Sequence, residues 1–226
     1  MPGPILENAV DAPIPAPKTA VQAAPLLAPI QATLKDDETA ITLHPITPTA
    51  AKSLPARLVE YLHAEFCAEI ERGCTYPMED AIALERFREY WFGTFAVVVL
   101  KGALEQSTRL LQGQGQVNWE EVCMGTFYIK PNYPGRCSHV CNAGFLTCAP
   151  FRGHGIGSVM GKTYLAYAPK LGYKYSVFNL VFANNPASSR IWDKLGFEVL
   201  GRVPGAGRLR NSEELVDALI YGRSLV

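Results

Sequence analysis

The chain has 226 residues, with 21 Lys and Arg against 21 Asp and Glu, so its formal net charge is zero. This balance excludes a broad basic field for nucleic acid or an anionic membrane, and a small or neutral partner is expected instead. The densest apolar run, Phe95–Leu100, has the length of a strand, far below the ~20 residues of a membrane helix. Length and composition predict a soluble protein with one domain and a tail.

The first 37 residues, Met1–Asp37, are rich in Pro and Ala and show no sustained periodicity, which predicts a flexible tail before a domain at 38–226. No charged and apolar leader of the secretory type is present, so reduced thiols in the cytoplasm are expected. A mitochondrial location is the alternative, although only one Lys and no Arg precede Gln31 where a presequence would be Arg-rich.

The first half of the domain alternates strands and helices. Thr39–Pro45 reads as a strand, and Ser53 is expected to cap a helix that ends near Gly73. A four-residue apolar spacing marks that helix at Leu54, Leu58, Leu62, Phe66 and Ile70. A second helix carries Ala83, Phe87, Tyr90 and Trp91 on one side.

Strands are predicted at Thr94–Leu100 and Val122–Ile129. Between them, residues Lys101–Asn118 are rich in Gly and Gln and predict a long exposed loop. Pro131–Cys141 is expected to be irregular, and it leads into a strand at Ala143–Ala149.

Cys137-Ser138-His139-Val140-Cys141 resembles a metal cluster at first sight, because alternation in an extended segment would place its three ligand-type side chains on one side. A closed zinc site needs a fourth ligand and usually a second pair at its own spacing. Structural cysteines and no metal are therefore favoured over a metal site.

The stretch Phe151–Gly157 is a glycine-rich turn between a strand and a helix with apolar residues at spacings of three and four. Glycines let backbone N–H groups converge on an anion, and the helix N-terminus adds partial positive charge. The dinucleotide spacing fails because Ser158 or Met160 takes the place of its third glycine. Gly161-Lys162-Thr163 lies inside the helix and lacks the leading glycine of a nucleotide-triphosphate loop. The remaining pattern is Arg-x-x-Gly-x-Gly, at Arg152, Gly155 and Gly157.

The C-terminal third continues with strand Tyr175–Phe182, which carries one internal polar residue, Asn179. Asn185 stands at an N-cap position before a short helix, Pro186–Leu195. Phe197–Val203 and Val216–Tyr221 complete the strands, joined by the Gly- and Arg-bearing segment Pro204–Asn211. These strands and interposed helices predict an α/β (α+β) fold, a mixed sheet with helices on both faces.

The Arg-x-x-Gly-x-Gly turn and the segment Asn185–Phe197 resemble the two signatures of the GCN5-related N-acetyltransferase (GNAT) superfamily. Longer phrases, including Gly125–Tyr133, Cys141–Phe145, Gly172–Ser176 and Phe178–Phe182, are similar to the fungal L-azetidine-2-carboxylate N-acetyltransferases. The resemblance implies a mixed, mostly antiparallel sheet, acetyl-CoA as co-substrate and no metal. It also implies a small imino-acid acceptor such as a proline analogue, a detoxifying role linked to proline and arginine metabolism and oxidative stress, and a homodimer.

The resemblance also assigns site residues. It makes Asn142 and Asn179 catalytic, and it places the acceptor against them together with Tyr76 and Phe145. Cofactor contacts are expected at Phe145, Leu146, Arg152, Gly153, His154, Gly155, Ile156, Gly157 and Asn185. Structural alternatives stay open: Asn142 could end a turn, Asn185 could only cap its helix, and Tyr76 could be a plain turn aromatic.

Acetyl transfer needs a neutral amine, donors for the oxyanion and a proton for the thiolate. Trp192 occupies the place of the tyrosine acid of many superfamily members, and its indole N–H is no practical acid. No carboxylate stands in Asn142–Phe145, so catalysis mainly by positioning, with deprotonation through water, is expected. His63, His139 and His154 are alternative bases.

Two rival functions remain at this point. A protein or peptide N-acetyltransferase would share the cofactor turn but act on lysines or N-termini. A catalytically silent acetyl-CoA sensor would bind the cofactor without turnover, and the missing tyrosine makes that hypothesis worth testing.

Overall fold

The computed structural model describes residues 14–35 and 38–226, whose strands form one eight-stranded sheet. In chain order the strands are β1 (Ile30–Thr33), β2 (Ala40–Ile46), β3 (Phe95–Lys101), β4 (Cys123–Pro131), β5 (Val140–Thr147), β6 (Tyr175–Phe182), β7 (Glu198–Gly207) and β8 (Val216–Ser224). The helices are α1 (Lys18–Ala23), α2 (Pro48–Ala51), α3 (Ala56–Arg72), α4 (Leu84–Phe92), α5 (Leu104–Leu111), α6 (Trp119–Val122), α7 (Ile156–Tyr167) and α8 (Pro186–Lys194).

The sheet has the strand order β1-β2-β3-β4-β5-β6-β8-β7. All neighbouring strands pair antiparallel except β5 and β6, which are parallel. A parallel pair needs a crossover connection, and the turn at Phe151–Gly157 with α7 supplies it. The predicted fold class, a mixed and mostly antiparallel sheet with helices on both faces, is confirmed.

Two hydrophobic clusters cover the faces of this sheet. One packs α7 and α8 against it, with Tyr164, Tyr167, Phe178 and Trp192 among its large side chains. The other packs α3 and α4 against the opposite face, around Phe66 and Trp91. Strand β3 is buried on both sides, which explains its unbroken run of Phe, Ala, Val and Leu.

The helix α3 shows how the sequence pattern produces local structure. The four-spaced apolar stripe from Leu54 to Ile70 is buried. The helix ends where Gly73 adopts a left-handed conformation at φ 63°. The predicted Ser53 cap is wrong, because the N-cap lies two residues later, at Pro55, and has no side-chain cap bond. Thr47 instead caps the short α2, where its hydroxyl accepts from the Ala50 N–H.

The predicted flexible tail is wrong over residues 18–33, which form α1, a short 3₁₀ turn and the edge strand β1. Ala20, Ala24 and Leu34 are buried against the α7 side of the core, and Tyr167 Oη donates to the Ala28 carbonyl at 2.8 Å. Tertiary contacts, which local composition does not reveal, order this segment. Residues 1–13 and 36–37 of the expected tail lie outside the described residues.

The predicted loop Lys101–Asn118 is also wrong, because it contains α5. The buried contact of this helix is Ser107, whose Oγ lies 2.8 Å from Nε2 of the buried His44 on β2. The Gly and Gln residues behind the loop prediction lie mostly at 112–116, after the helix, so the composition of the whole stretch hid α5. Within the described ranges, no helix is long and apolar enough to cross a membrane.

Candidate active site

The strands β5 and β6 pair only where they begin, at Val140 with Tyr175 and Cys141 with Ser176. Beyond that point they separate, and on the other side β6 also shifts register against β8 between Phe178 and Val181. A cavity of about 370 Å³ occupies the resulting cleft. Its volume lies in the range of small-molecule sites, and its position between diverging strands makes it the candidate active site.

Most of the predicted site residues meet at this cavity. Its lining includes Tyr76, Asn142, Phe145, Leu146, Arg152, Gly157, Asn179 and Asn185. The remaining predicted positions, Gly153, His154, Gly155 and Ile156, belong to the turn at the start of α7. The crossover between β5 and β6 thus places the turn and the cleft next to each other.

One side of the cleft is aromatic. Phe145 of β5, Phe178 of β6 and Trp192 of α8 form a ring cluster, with centroids 5.1 Å apart for Phe145 and Trp192 and 4.3 Å for Phe178 and Trp192. We call these residues the aromatic face. The Trp192 Nε1–H donates to Ser188 Oγ of its own helix at 2.9 Å. The indole donor is therefore already engaged within α8.

Two asparagines, Asn142 and Asn179, line the cleft and are joined by a third, the buried Asn132, behind them. Asn132 Oδ1 accepts from Asn142 Nδ2 at 3.1 Å and from Asn179 Nδ2 at 2.6 Å, and Asn132 Nδ2 lies 3.3 Å from Asn179 Oδ1. We call Asn132, Asn142 and Asn179 the amide network. Asn142 lies within β5 opposite Lys130, so the alternative that it ends a turn is wrong. Asn132 was missed, since an Asn between Pro131 and Tyr133 reads as a turn former.

A buried cation adjoins the amide network. Lys130 pairs across the strands with Asn142, and directly opposite residues of an antiparallel pair share a face of the sheet. Its Nζ lies 4.7 Å from the ring centre of Tyr90 and 4.6 Å from that of Tyr128. Gly144 is required beside them, because an added Cβ would come within 2.6 Å of the Tyr128 ring. Lys130 and Tyr128 therefore lie on the same face of the sheet as Asn142 of the amide network.

Tyr76 reaches the cleft from the segment between α3 and α4. Its hydroxyl donates to the Phe145 carbonyl at 3.0 Å, and its ring packs edge-on against Phe66. The contact ties this segment to β5 beside the cavity, so Tyr76 is more than a plain turn aromatic.

The rim of the cavity holds an ion-pair cluster that the sequence did not reveal. Glu69, only 5% exposed, accepts from Arg152 Nη2 at 2.8 Å and also bonds Arg72 and the hydroxyl of Thr75. Arg152, expected at the cofactor, therefore directs its side chain to α3. Helical spacing places Glu69 beside the buried stripe, yet the sequence gives no sign of partners so distant along the chain.

The glycine turn has the geometry of an anion site. Gly153 and Gly155 have φ of 83° and 84°, and Gly155 is the N-cap of α7. The first N–H groups of a helix have no acceptor within it, so those at Ile156 and Gly157 can serve an anion. Gly157 also admits α8, since a Cβ there would lie 3.0 Å from Ile191. His154 is exposed, with Nδ1 3.0 Å from the Arg152 carbonyl.

Asn185 has two roles at the edge of the cavity. Its Oδ1 accepts from the Ser188 N–H at 3.1 Å, which confirms the predicted cap of α8. The cap uses only the oxygen of the amide. The nitrogen remains as a donor at a residue that lines the cavity.

The extended geometry assumed for Cys137, His139 and Cys141 is wrong. Cys137 lies in a 3₁₀ turn and is exposed, as is His139, whereas Cys141 is buried beside Tyr164 with Sγ 3.0 Å from its hydroxyl. Burial raises the pKa of the Cys141 thiol to about 12. Over residues 14–35 and 38–226, no group of three His, Cys, Asp or Glu side chains could hold a metal ion.

A model of the acetyltransferase (GNAT) family matches residues 64–197, more than half of the chain. The match includes β5, the glycine turn, α7, β6 and α8, which together form the cleft. The chain belongs to the GNAT acetyltransferase family. It is therefore an acetyltransferase, and the separated β5 and β6 form its candidate active site.

Two curated fungal proteins are similar to this GNAT acetyltransferase. N-acetyltransferase aca1 of Schizosaccharomyces pombe is 43% identical over 153 residues, covering 68% of this chain and 73% of that protein. Protein SPT10 of Saccharomyces cerevisiae is 32% identical over 234 residues, covering 88% of this chain. The match spans only 36% of the length of SPT10.

A solved structure supports the same fold. The GNAT-superfamily phosphinothricin acetyltransferase of Sinorhizobium meliloti, in complex with AcCoA, superposes with a TM-score of 0.58. It is 15% identical, and the match covers 81% of this chain and 88% of that one. At this identity the likeness concerns the fold alone.

Proposed function

We propose that this chain transfers the acetyl group of acetyl-CoA to the secondary amine of a small cyclic imino acid, such as azetidine-2-carboxylate. This proposal rests on the amide network, which lies beside a cavity of about 370 Å³. Such a volume suits a small molecule, and three linked amides provide fixed donors and acceptors for a compact polar acceptor. The resemblance to the azetidine-2-carboxylate acetyltransferases and the N-acetyltransferase relative support the same assignment.

The glycine turn fits the cofactor. Positive φ at Gly153 and Gly155 opens the backbone before α7, and the N–H groups of Ile156 and Gly157 suit a pyrophosphate. Acetyl-CoA supplies a thioester, an acyl carbonyl attached to a thiolate leaving group. The edge of β5 at Phe145 and Leu146, where β5 no longer pairs with β6, and Asn185 across the cleft would border the arm that carries this thioester. Arg152 would act indirectly, by fixing the turn to Glu69.

The amide network would orient the acceptor. Asn142 and Asn179 both donate through Nδ2 to Asn132, so the network holds these two side chains in fixed positions on the two walls of the cleft. The amine nitrogen attacks the thioester carbonyl carbon, the C–S bond breaks, and coenzyme A leaves as thiolate while the amine loses its proton. This assignment makes positioning, rather than a strong base, the main contribution of these residues.

The charged and aromatic groups at the cleft fit poorly as acid or base. Among the described residues lining the cavity, Glu69 is the sole carboxylate, and it is held by Arg72 and Arg152. None of these lining residues is a histidine, and His63 instead bonds the Ile82 carbonyl at 2.6 Å. Trp192 donates to Ser188. We infer that the proton leaves through solvent and that thiolate, a fairly good leaving group, needs little assistance.

The test incubates the protein with acetyl-CoA and azetidine-2-carboxylate while free thiol release is followed. Turnover with cyclic imino acids and none with peptides is the expected result. Turnover only with lysine-bearing or N-terminal peptides would support a protein acetyltransferase instead. Tight acetyl-CoA binding by calorimetry without turnover of any amine would support a silent sensor.

The physiological role follows from the substrate class. Acetylating the ring nitrogen of a toxic proline analogue would remove its secondary amine and so prevent peptide-bond formation, which agrees with a detoxifying role. The resemblance further predicts a homodimer. Light scattering of the purified chain measures this directly, and a mass of one chain, 24.7 kDa, would contradict it.

A further inference from the structure

The side chain of Asn132 links the two asparagines expected to handle the acceptor. It is 2% exposed, and its Oδ1 accepts from Nδ2 of both Asn142 and Asn179, at 3.1 and 2.6 Å. Asn142 belongs to β5 and Asn179 to β6, the strands that separate to form the cleft. Asn132 follows the end of β4, so one amide joins residues from both walls.

A shared acceptor fixes the orientation of both amides. Each primary amide can be turned so that oxygen and nitrogen exchange places, and its partners select one orientation. Two Nδ2 groups directed at one Oδ1 force the Asn142 oxygen away from Asn132. Without that acceptor, the Nδ2 groups of Asn142 and Asn179 would lose their common partner, and the two side chains would no longer be held in fixed relative positions, which would weaken acceptor binding.

We propose that Asn132 is a positioning residue, which sets the amide orientation of Asn142 and Asn179 and thereby determines the affinity for the acceptor amine. This inference rests on the proposed function of the cleft. It assigns Asn132 no contact with the substrate or the reacting atoms. The cofactor turn lies on a separate element, so affinity for acetyl-CoA should not depend on Asn132.

The local backbone does not need the Asn132 side chain. The connection between β4 and β5 is closed by the backbone N–H of Asn132, which donates to the Val140 carbonyl at 2.8 Å. Any residue except proline at position 132 keeps this bond. Side-chain substitutions therefore test the amide network without removing the closure of the hairpin.

The experiment compares two substitutions of similar shape. Asn132→Asp keeps oxygen acceptors for both Nδ2 groups and loses only the longer bond from Asn132 Nδ2 to Asn179 Oδ1, at 3.3 Å, whereas Asn132→Leu removes the acceptors as well. We expect the KM for the acceptor to rise at least tenfold in Asn132→Leu and less than threefold in Asn132→Asp, with the KM for acetyl-CoA unchanged in both. Equal increases in the two variants, or a matching increase for acetyl-CoA, would overturn the proposal.

Ser107→Ala is the control for stability. It removes a buried polar partner of His44 at β2, remote from β5 in the strand order, and should lower the melting temperature without changing either KM. If Ser107→Ala raised the acceptor KM as much as Asn132→Leu does, the effect would be general destabilisation and the proposal would be wrong.

Hydrogen exchange of the side-chain amides tests the positioning role without any turnover, so its result does not depend on the proposed function. In ¹⁵N-labelled protein, the side-chain amide protons of Asn142 and Asn179 should exchange slowly in the parent and in Asn132→Asp, and faster in Asn132→Leu. If the chain acetylates no imino acid, the kinetic comparison is made with the amine that it does accept. Unchanged exchange in Asn132→Leu would overturn the positioning role whatever the substrate is.

Discussion

On the aromatic face of the cleft, Phe145, Phe178 and Trp192 pack against one another, and the two phenylalanines also contact Tyr164 of α7. On the opposite side, the amide network joins residues of β5, β6 and the β4–β5 connection through hydrogen bonds. The helix α7, which follows the glycine turn, packs on the same side of the sheet as the aromatic face, and the turn itself is shaped by glycine φ angles. The amide network depends instead on how its three side-chain amides are oriented. Substitutions on the two sides should therefore affect different kinetic constants.

The largest expected effect is on the glycine turn, the proposed cofactor site. Gly155→Val places a β-branched residue at φ 84°, a conformation that is costly for any residue with a Cβ. The KM for acetyl-CoA should rise about 100-fold or more, because the N–H groups that follow would be displaced. Initial rates at varied acetyl-CoA measure this, and the acceptor KM should stay within about twofold.

Gly113→Val is the matched control, since Gly113 has φ 74° but open space around it in the α5–α6 connection. This variant should lose stability through the same backbone strain and keep both KM values. A comparable loss of acetyl-CoA affinity there would mean that strain alone explains the effect at Gly155.

The next effect is on the amide network. Asn179→Ala should lower turnover about 10- to 50-fold, since the acceptor loses one of its linked amides, while acetyl-CoA affinity measured by calorimetry stays the same. Asn184→Ala is the control, because its amide makes an exposed bond with Asn211. An equal loss of turnover and cofactor affinity in Asn179→Ala would identify a folding residue instead.

A pH dependence of the free energy of unfolding is expected from His44, which lies on β2, away from the aromatic face and the amide network. Burial lowers the pKa of His44 to about 4, below the ~6.5 of an unfolded histidine. The unfolded chain binds the proton first, so the free energy of unfolding should fall as pH drops from about 6.5 to about 4. Thermal unfolding across this range measures the loss, and His44→Gln should show a flatter dependence. An identical pH dependence in that variant would exclude His44 as the cause.

The smallest effect is expected on the aromatic face. Trp192→Phe removes an indole N–H that already donates to Ser188, so kcat should change less than about threefold. The melting temperature should fall by a few degrees, because the smaller ring of Phe reduces the packing contacts with Phe178 and Phe197. A folded variant with kcat reduced more than tenfold would show that the indole takes part in the reaction.

The sequence determined the parts of this protein that depend on residues close together in the chain. The stripe of α3, the Asn185 cap, the strand Tyr175–Phe182 and the glycine turn were all predicted, because helical periodicity, caps and positive φ leave local patterns. These patterns, with the phrase matches, also indicated the GNAT family.

The tertiary structure alone decided which side chains meet across the sheet. Asn132 lay in a predicted irregular stretch, Glu69 in a predicted helix and Ser107 in a predicted loop. The structure places them within hydrogen-bond distance of Asn142, Arg152 and His44. Each pair joins residues from different elements, and no local pattern records such a contact. The order of residues 18–33 has the same origin, because contacts distant in sequence, chiefly burial against α7 and pairing with β2, hold that segment in place.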